Sequence, residues 1–409
     1  MTPATPPTTP PMPSSDRAPA MNAPSAPALL PADDRRAWMV LGSGGVGKTT
    51  LSAALALRLA ERGHRTAVVT LDPARRLADA LRLSRATGAL QPVALDRLEA
   101  RFGVRFGGSL AGGVLDPRAL FDALVHDLVG DPDKAARILA NRYYQKLSTS
   151  LAGAENYMAM ARLDGLLGDP AFDRVVLDTP PAFHTLDFLG TPQRLTGFLD
   201  FPGVRPALRL MNGPAQRWSP LLQVGRLTLK GLERFLGREF LVELFGFLAL
   251  FADVLEAFAE QARRIQQVLA SPDVGYLLVA APTERSLAEA RVVLQRFTDE
   301  GRHVERVIVN RVHPARFDGA RLDGLTAGLA AGLAASPLAP GLSGSERDAM
   351  LTVVPRVVSA YEGLARRERR LIDAFRREHG DVVEVDELTA DVDGLESLYR
   401  FSQGLPVVA

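Results

Sequence analysis

The chain has no cysteine among its 409 residues. Disulfides, thiolate metal sites and cysteine nucleophiles are excluded together. Net charge is nearly absent too, because 48 Lys and Arg oppose 47 Asp and Glu and leave +1. Global electrostatics therefore gives no case for nucleic acid or an anionic membrane as the main partner. No run reaches the roughly 18 uncharged apolar residues of a membrane span, so no integral membrane segment is expected. Residues 1–34 lack the apolar stretch of a signal peptide and are rich in Pro, Ala and Thr; they predict a disordered tail and a cytoplasmic protein. The remainder is ordinary globular material, since 47% of the chain is hydrophobic and 23% charged.

Within it stands Leu41-Gly42-Ser43-Gly44-Gly45-Val46-Gly47-Lys48-Thr49-Thr50. Gly42, Gly47, Lys48 and Thr49 occupy the fixed positions of G-x-x-x-x-G-K-[ST], the phosphate-binding loop. An apolar run, Trp38 to Leu41, precedes it and a helical run begins at Thr49. Glycines let backbone N–H groups turn inward around a phosphate with no Cβ in the way, and the following helix adds its positive end. Ser43, Gly44, Gly45 and Val46 complete the cradle. Lys48 would neutralise the β- and γ-phosphates, Thr49 would coordinate Mg²⁺, and Thr50 would reach the α-phosphate.

Further along, Thr66 to Leu71, Arg174 to Leu177, Val274 to Ala280, Val304 to Val309 and Val382 to Val385 read as buried strands. Helical patterns alternate with them at Thr49 to Arg62, Glu284 to Glu300 and Val358 to Glu378. The alternation predicts an α/β fold, a doubly wound and mostly parallel sheet over residues 35–409 with the loop at the carboxyl end of the first strand. Two stretches break it, and helical insertions are expected at about 119–167 and 195–270. In the second, Phe240, Leu244, Phe247, Phe251 and Phe258 recur at helical spacing. A buried helical core and a groove for an apolar segment of a client protein both fit that stripe.

Two aspartates close strand signals. Asp178 ends a buried run, the position from which a carboxylate holds Mg²⁺ near Thr49. Asp72 would face the same crevice and orient the attacking water, so Asp72 and Lys48 are the expected catalytic pair. A turn-forming role remains open for each aspartate taken singly.

Gly42 to Thr50, Asp72-Pro73-Ala74-Arg75-Arg76-Leu77-Ala78-Asp79, Asp178-Thr179-Pro180-Pro181-Ala182-Phe183-His184-Thr185-Leu186 and Val307-Ile308-Val309-Asn310-Arg311 together resemble the anion-transporting (arsenite pump) ATPase family. That family includes the targeting ATPases for tail-anchored membrane proteins, and the resemblance covers nearly everything after residue 35. It implies a P-loop fold of the deviant Walker A class. It also implies ATP and Mg²⁺ as cofactors, and hydrolysis by a homodimer or a dimer with a paralogue. The segments 72–79 and 178–186 would report the nucleotide state to a helical subdomain that binds a protein client. Asn310 would hydrogen-bond adenine, and a buried Asn closing its strand is the alternative. His184, with Asp187 three residues on, matches the second switch segment.

The resemblance has gaps. The family carries a lysine at the second loop position, where it reaches across the dimer; here Ser43 is short and uncharged. The cysteines for arsenite or a shared zinc are missing, which argues against both. Arg75 or Arg76 would be a substitute cation at the γ-phosphate, in cis or from the partner chain, and pairing of both with surface carboxylates is the alternative. A nucleotide-gated scaffold with little hydrolysis and a Par- or Min-like positioning ATPase are the competing functions, the latter opposed by the near-zero charge and the lack of a terminal basic amphipathic helix.

Overall fold

The computed structural model describes residues 29, 35–70, 76–83, 89–141, 144–145, 154–179, 257, 260–316, 324–336, 341–380, 382–388 and 390–405. Among these, eight strands form one sheet: β1 (Ala37–Gly42), β2 (Arg65–Thr70), β3 (Gln91–Pro92), β4 (Ser109–Val114), β5 (Arg174–Asp178), β6 (Val274–Ala280), β7 (Arg306–Val312) and β8 (Val382–Asp386). Their order is β3-β4-β2-β5-β1-β6-β7-β8. Only β3 runs antiparallel to its neighbour. The expected α/β architecture with a mostly parallel sheet is thus what the chain adopts.

β1 lies in the interior, with β5 and β6 parallel on its two sides, and the register sets Val40 opposite Asp178 and Gly42 opposite Val279. Alternation along the strand divides the core. Ala37, Met39 and Leu41 point to one face with Val175 and Leu177, and Trp38 and Val40 point to the other with Val176. Both faces of every central strand are buried, which is why these strands read as continuous apolar runs. Trp38 fits because its partner across the ladder is Gly275, where a Cβ would lie 2.4 Å from the indole ring.

On the Trp38 face pack α1 (Lys48–Glu61), α2 (Arg76–Leu81), α3 (Asp96–Phe102) and α10 (Leu395–Gln403). Leu29, inside the stretch expected to be a tail, is buried in this cluster. The opposite face receives α4 (Pro117–Val129), α5 (Pro132–Leu139), α6 (Ala154–Gly168), a helical run at 260–270, α7 (Glu284–Asp299) and the end of α9 (Gly344–His379). α8 (Leu325–Ala335) precedes α9.

Three elements differ from the sequence reading. β4 carries no strand signal, because Gly112 and Gly113 dilute it. Those glycines admit neighbours: a Cβ on Gly112 would lie 2.9 Å from methyls of Leu81 and Leu83, and one on Gly113 3.1 Å from Leu90. α9 begins fourteen residues before Val358 and runs through Pro355. Its start is fixed by a capping box in which the Ser343 hydroxyl accepts the Glu346 N–H and the Glu346 carboxylate accepts the Ser343 N–H. β7 starts at Arg306 rather than Val304 and continues past Asn310 to Val312.

The edges of the β2 and β5 strands are tied by Asp173, which accepts from the Arg65 backbone N–H at 2.9 Å and from its guanidinium at 2.6 and 3.0 Å. The Arg65 side-chain hydrogen bonds hold the Asp173 carboxyl well below the usual carboxylate range. A depressed folded pKa contributes stability above the unfolded value that is lost as pH falls through the folded one. The urea midpoint of Asp173→Asn should therefore lie below wild type at about pH 6, and the gap should narrow as pH falls below about 4.

Candidate functional site

β1 delivers the chain to Gly42 at the carboxyl edge of the sheet, and three positive φ angles turn it into α1: Gly42 at +146°, Gly45 at +79° and Gly47 at +91°. At Gly42 a Cβ would lie 2.2 Å from the Val279 carbonyl oxygen of β6, and at Gly47 one would lie 2.3 Å from Asn310 Nδ2. At Gly45 it would meet no atom of the described residues within 4 Å. Gly47 is the N-cap of α1, and neither a side-chain cap nor an acidic residue occupies the first turn. Such a helix start attracts an anion.

Lys48 is nearly buried and its ammonium donates to the Gly42 carbonyl at 2.9 Å and the Ser43 carbonyl at 2.8 Å. The charge is thereby held over the opening of the loop. Beside it, the Thr49 hydroxyl donates to Asp178 Oδ2 at 2.7 Å, and the Thr70 hydroxyl from the end of β2 donates to the same oxygen at 2.8 Å. Asp178 is 1% exposed. Two hydroxyl donors on one oxygen fix the carboxylate plane against the start of α1. Thr179 extends the β1–β5 contact by donating its hydroxyl to the Val40 carbonyl at 2.8 Å.

From the other side, Asn310 donates its amide to the Val46 carbonyl at 2.8 Å. It comes from inside β7, not from the strand's end. The next residue, Arg311, has φ +67°, and the ladder to β8 is irregular between Asn310 and Val312. That bulge turns Asn310 toward the loop and Val312 into the opposite core. The Ser43 hydroxyl lies 3.1 Å from Ser286 Oγ at the start of α7.

The loop, Asp178 and Asn310 are thus brought together from three strands, β1, β5 and β7. Asp72 and Arg75 lie outside the described residues, as do His184, Asp187 and Phe240, Leu244, Phe247, Phe251 and Phe258. Arg76 opens α2 and is exposed. Thr70 and Ser286 escaped the sequence reading. Thr70 lies two residues before Asp72, a faint strand-end signal; Ser286 has none.

The site's chemistry fits a nucleotide with a hard cation. A glycine cradle and a buried ammonium suit phosphates. The Thr49 hydroxyl and Asp178 carboxylate are oxygen donors, and Mg²⁺ commonly takes only one or two protein oxygens alongside phosphates and water. Among the described residues no cluster of three or more His, Asp or Glu offers a metal cage of the chain's own.

Residues 35–96 and 133–322, more than half of the chain, match the family model described as anion-transporting ATPase. The chain belongs to that family. This ATPase is 26% identical over 294 residues to ATPase GET3B of Arabidopsis thaliana, covering 68% of this chain and 65% of the relative. ATPase GET3 of Rhodotorula glutinis is 27% identical over 297 residues, 71% of this chain and 74% of its own. A putative arsenical pump-driving ATPase of Halobacterium salinarum is 30% identical over 193 residues, 45% of this chain and 28% of that protein. No helix of this ATPase among the described residues is long and apolar enough to cross a membrane.

Proposed function

We propose that this ATPase binds ATP in the loop 42–50 and hydrolyses it as a conformational switch coupled to a protein partner. The observation that carries the reading is the Thr49 to Asp178 contact of 2.7 Å beneath a glycine loop already spanned by the Lys48 ammonium. Thr49 and Asp178 would hold Mg²⁺, which when bound supplies positive charge between the phosphates. The chain's own residues do the rest. Amides of residues 44–47 and the start of α1 hold the phosphates, and Lys48 moves its ammonium from loop carbonyls toward developing negative charge. Asn310 keeps one amide N–H beyond its bond to Val46, and that donor is the proposed contact to adenine. Asp72 would position the water, and Arg76 or Arg75 would add a cation near the γ-phosphate.

The coupled output is a proposal supported by family membership. A helical subdomain built from the insertions at about 119–167 and 195–270 would bind a client, an apolar segment among the candidates, and the active form would be a dimer. A second reading is favoured by one observation: the Ser43 side chain is engaged with Ser286 of its own chain. On that reading the protein is a nucleotide-gated scaffold that turns over slowly.

Phosphate release by the purified protein, with ATP binding measured separately by calorimetry, decides between the two. Asp178→Asn is expected to lower Mg²⁺-dependent turnover by about 10²-fold, and tight ATP binding without turnover in the wild type would favour the scaffold. Absence of binding in the wild type would remove both.

A further inference from the structure

We propose that Ser286 is a positioning residue for the phosphate loop, acting through Ser43 within one chain; the functional consequence rests on the nucleotide reading above. Ser286 is 7% exposed, and its hydroxyl oxygen accepts the Ala281 N–H at 2.9 Å. Its backbone N–H donates to the hydroxyl of Thr283, the N-cap of α7, at 3.3 Å. The side chain is therefore fixed on the turn between β6 and α7 before it meets the loop. Its hydroxyl lies 3.1 Å from Ser43 Oγ, and with one lone pair taking the Ala281 N–H, its proton and its second lone pair remain for the pair with Ser43, in which either hydroxyl can donate.

The loop needs such a tether. Glycines at 42, 44, 45 and 47 make it costly to order. Asn310 holds the far end through the Val46 carbonyl. Lys48 holds the near end, but its bonds to the Gly42 and Ser43 carbonyls compete with phosphate for one ammonium. The Ser43–Ser286 pair is neutral and has no such competing task. With it, the near end is fixed to α7 and the far end to β7, and the amides between them stay arrayed for a phosphate. Position 43 then serves its own subunit. Held amides grip the phosphates equally before and during reaction, so the pair sets affinity and leaves the chemical step alone.

The test is a double-mutant cycle in the full chain with Ser43→Ala, Ser286→Ala and both. The readouts are the Kd for the fluorescent N-methylanthraniloyl derivative of ATP and the KM and kcat for ATP. Each single variant should weaken binding and raise KM by about 3- to 10-fold, with kcat within about 2-fold. The double variant should be no worse than the weaker single variant, and Ser286→Thr, which keeps the hydroxyl, should restore affinity. Losses that multiply in the double variant, or a fall in kcat with KM unchanged, would overturn the proposal. Amide hydrogen exchange of the nucleotide-free proteins separates this from failure of the nucleotide reading. Ser286→Ala should speed exchange in residues 43–46 and Ser43→Ala should speed it at Ala281, even if no nucleotide binds. Unchanged exchange at both places would also sink the latch.

Discussion

Lys48→Met should lower ATP turnover by about 10²- to 10³-fold, the effect of deleting one charge aimed at a transition state. The substitution keeps the stem and its packing, so the thermal midpoint should move by only about 2–4 °C for each kcal/mol lost with the two carbonyl contacts. The loss belongs to chemistry because the ammonium of Lys48 is the charged donor spanning the loop, bonded to the Gly42 and Ser43 carbonyls at its entrance. When phosphate enters, that charge meets a stronger acceptor at short range. Phosphate release under saturating ATP and Mg²⁺ measures it. Turnover within about tenfold of wild type would mean that Lys48 serves only to close the loop.

Adding one methyl to the loop should have opposite consequences at its two ends. At Gly42 the new Cβ would lie 2.2 Å from the Val279 carbonyl oxygen, which is backbone in the sheet next to β1. Neither strand can retreat without breaking the ladder, so Gly42→Ala should destabilise the fold by about 3 kcal/mol or more and lower the urea midpoint even without nucleotide. At Gly47 the Cβ would lie 2.3 Å from the Asn310 amide, the end of a side chain that can swing aside. Gly47→Ala should therefore fold but lose nucleotide affinity by about 10²-fold. The φ of +91° is strained for alanine, by roughly 1–2 kcal/mol, and the Val46 tether is lost with the Asn310 movement. Trimming the obstacle in Gly47→Ala/Asn310→Ala should not restore binding, because neither the strain nor the tether is repaired. Calorimetry with ATP and urea melts of the apo proteins check both arms.

The main frame of this fold was legible because its central strands are buried on both faces. β1, β5, β6 and β7 leave apolar runs that need no context to be read, and the glycine loop after β1 announces its own geometry. β4 was not legible, since its two glycines are there for the sake of Leu81, Leu83 and Leu90 rather than for strand propensity. Pro355 disguised the first third of α9, where most residues are exposed and no apolar face signals a helix. The site divides in the same way. Lys48, Thr49 and Asp178 follow from motif and strand-end position, and Asn310 from resemblance. Thr70 joins Asp178 only because β2 and β5 run side by side with these residues in register, a contact across 108 positions that no local pattern records. Ser286 is equally remote from the loop it touches, 243 residues away from Ser43.

The irregular step at Arg311 has a consequence for how β7 tolerates change. Between Asn310 and Val312 the strand advances two residues while β8 advances one, from Val385 to Asp386. Side-chain polarity thus changes phase at a single residue. Upstream, even-numbered positions such as Ile308 and Asn310 share the face of α1; downstream, Val312 belongs to the other. The amide that holds the loop and the valine that fills the far core are consequently uncoupled, and either half of β7 can vary without forcing the other to turn over. A deletion of Arg311 would set Asn310 beside Val312, where ordinary alternation still sends the amide to the loop and the valine to the core; a regular strand that kept Arg311 could present one of them but not both.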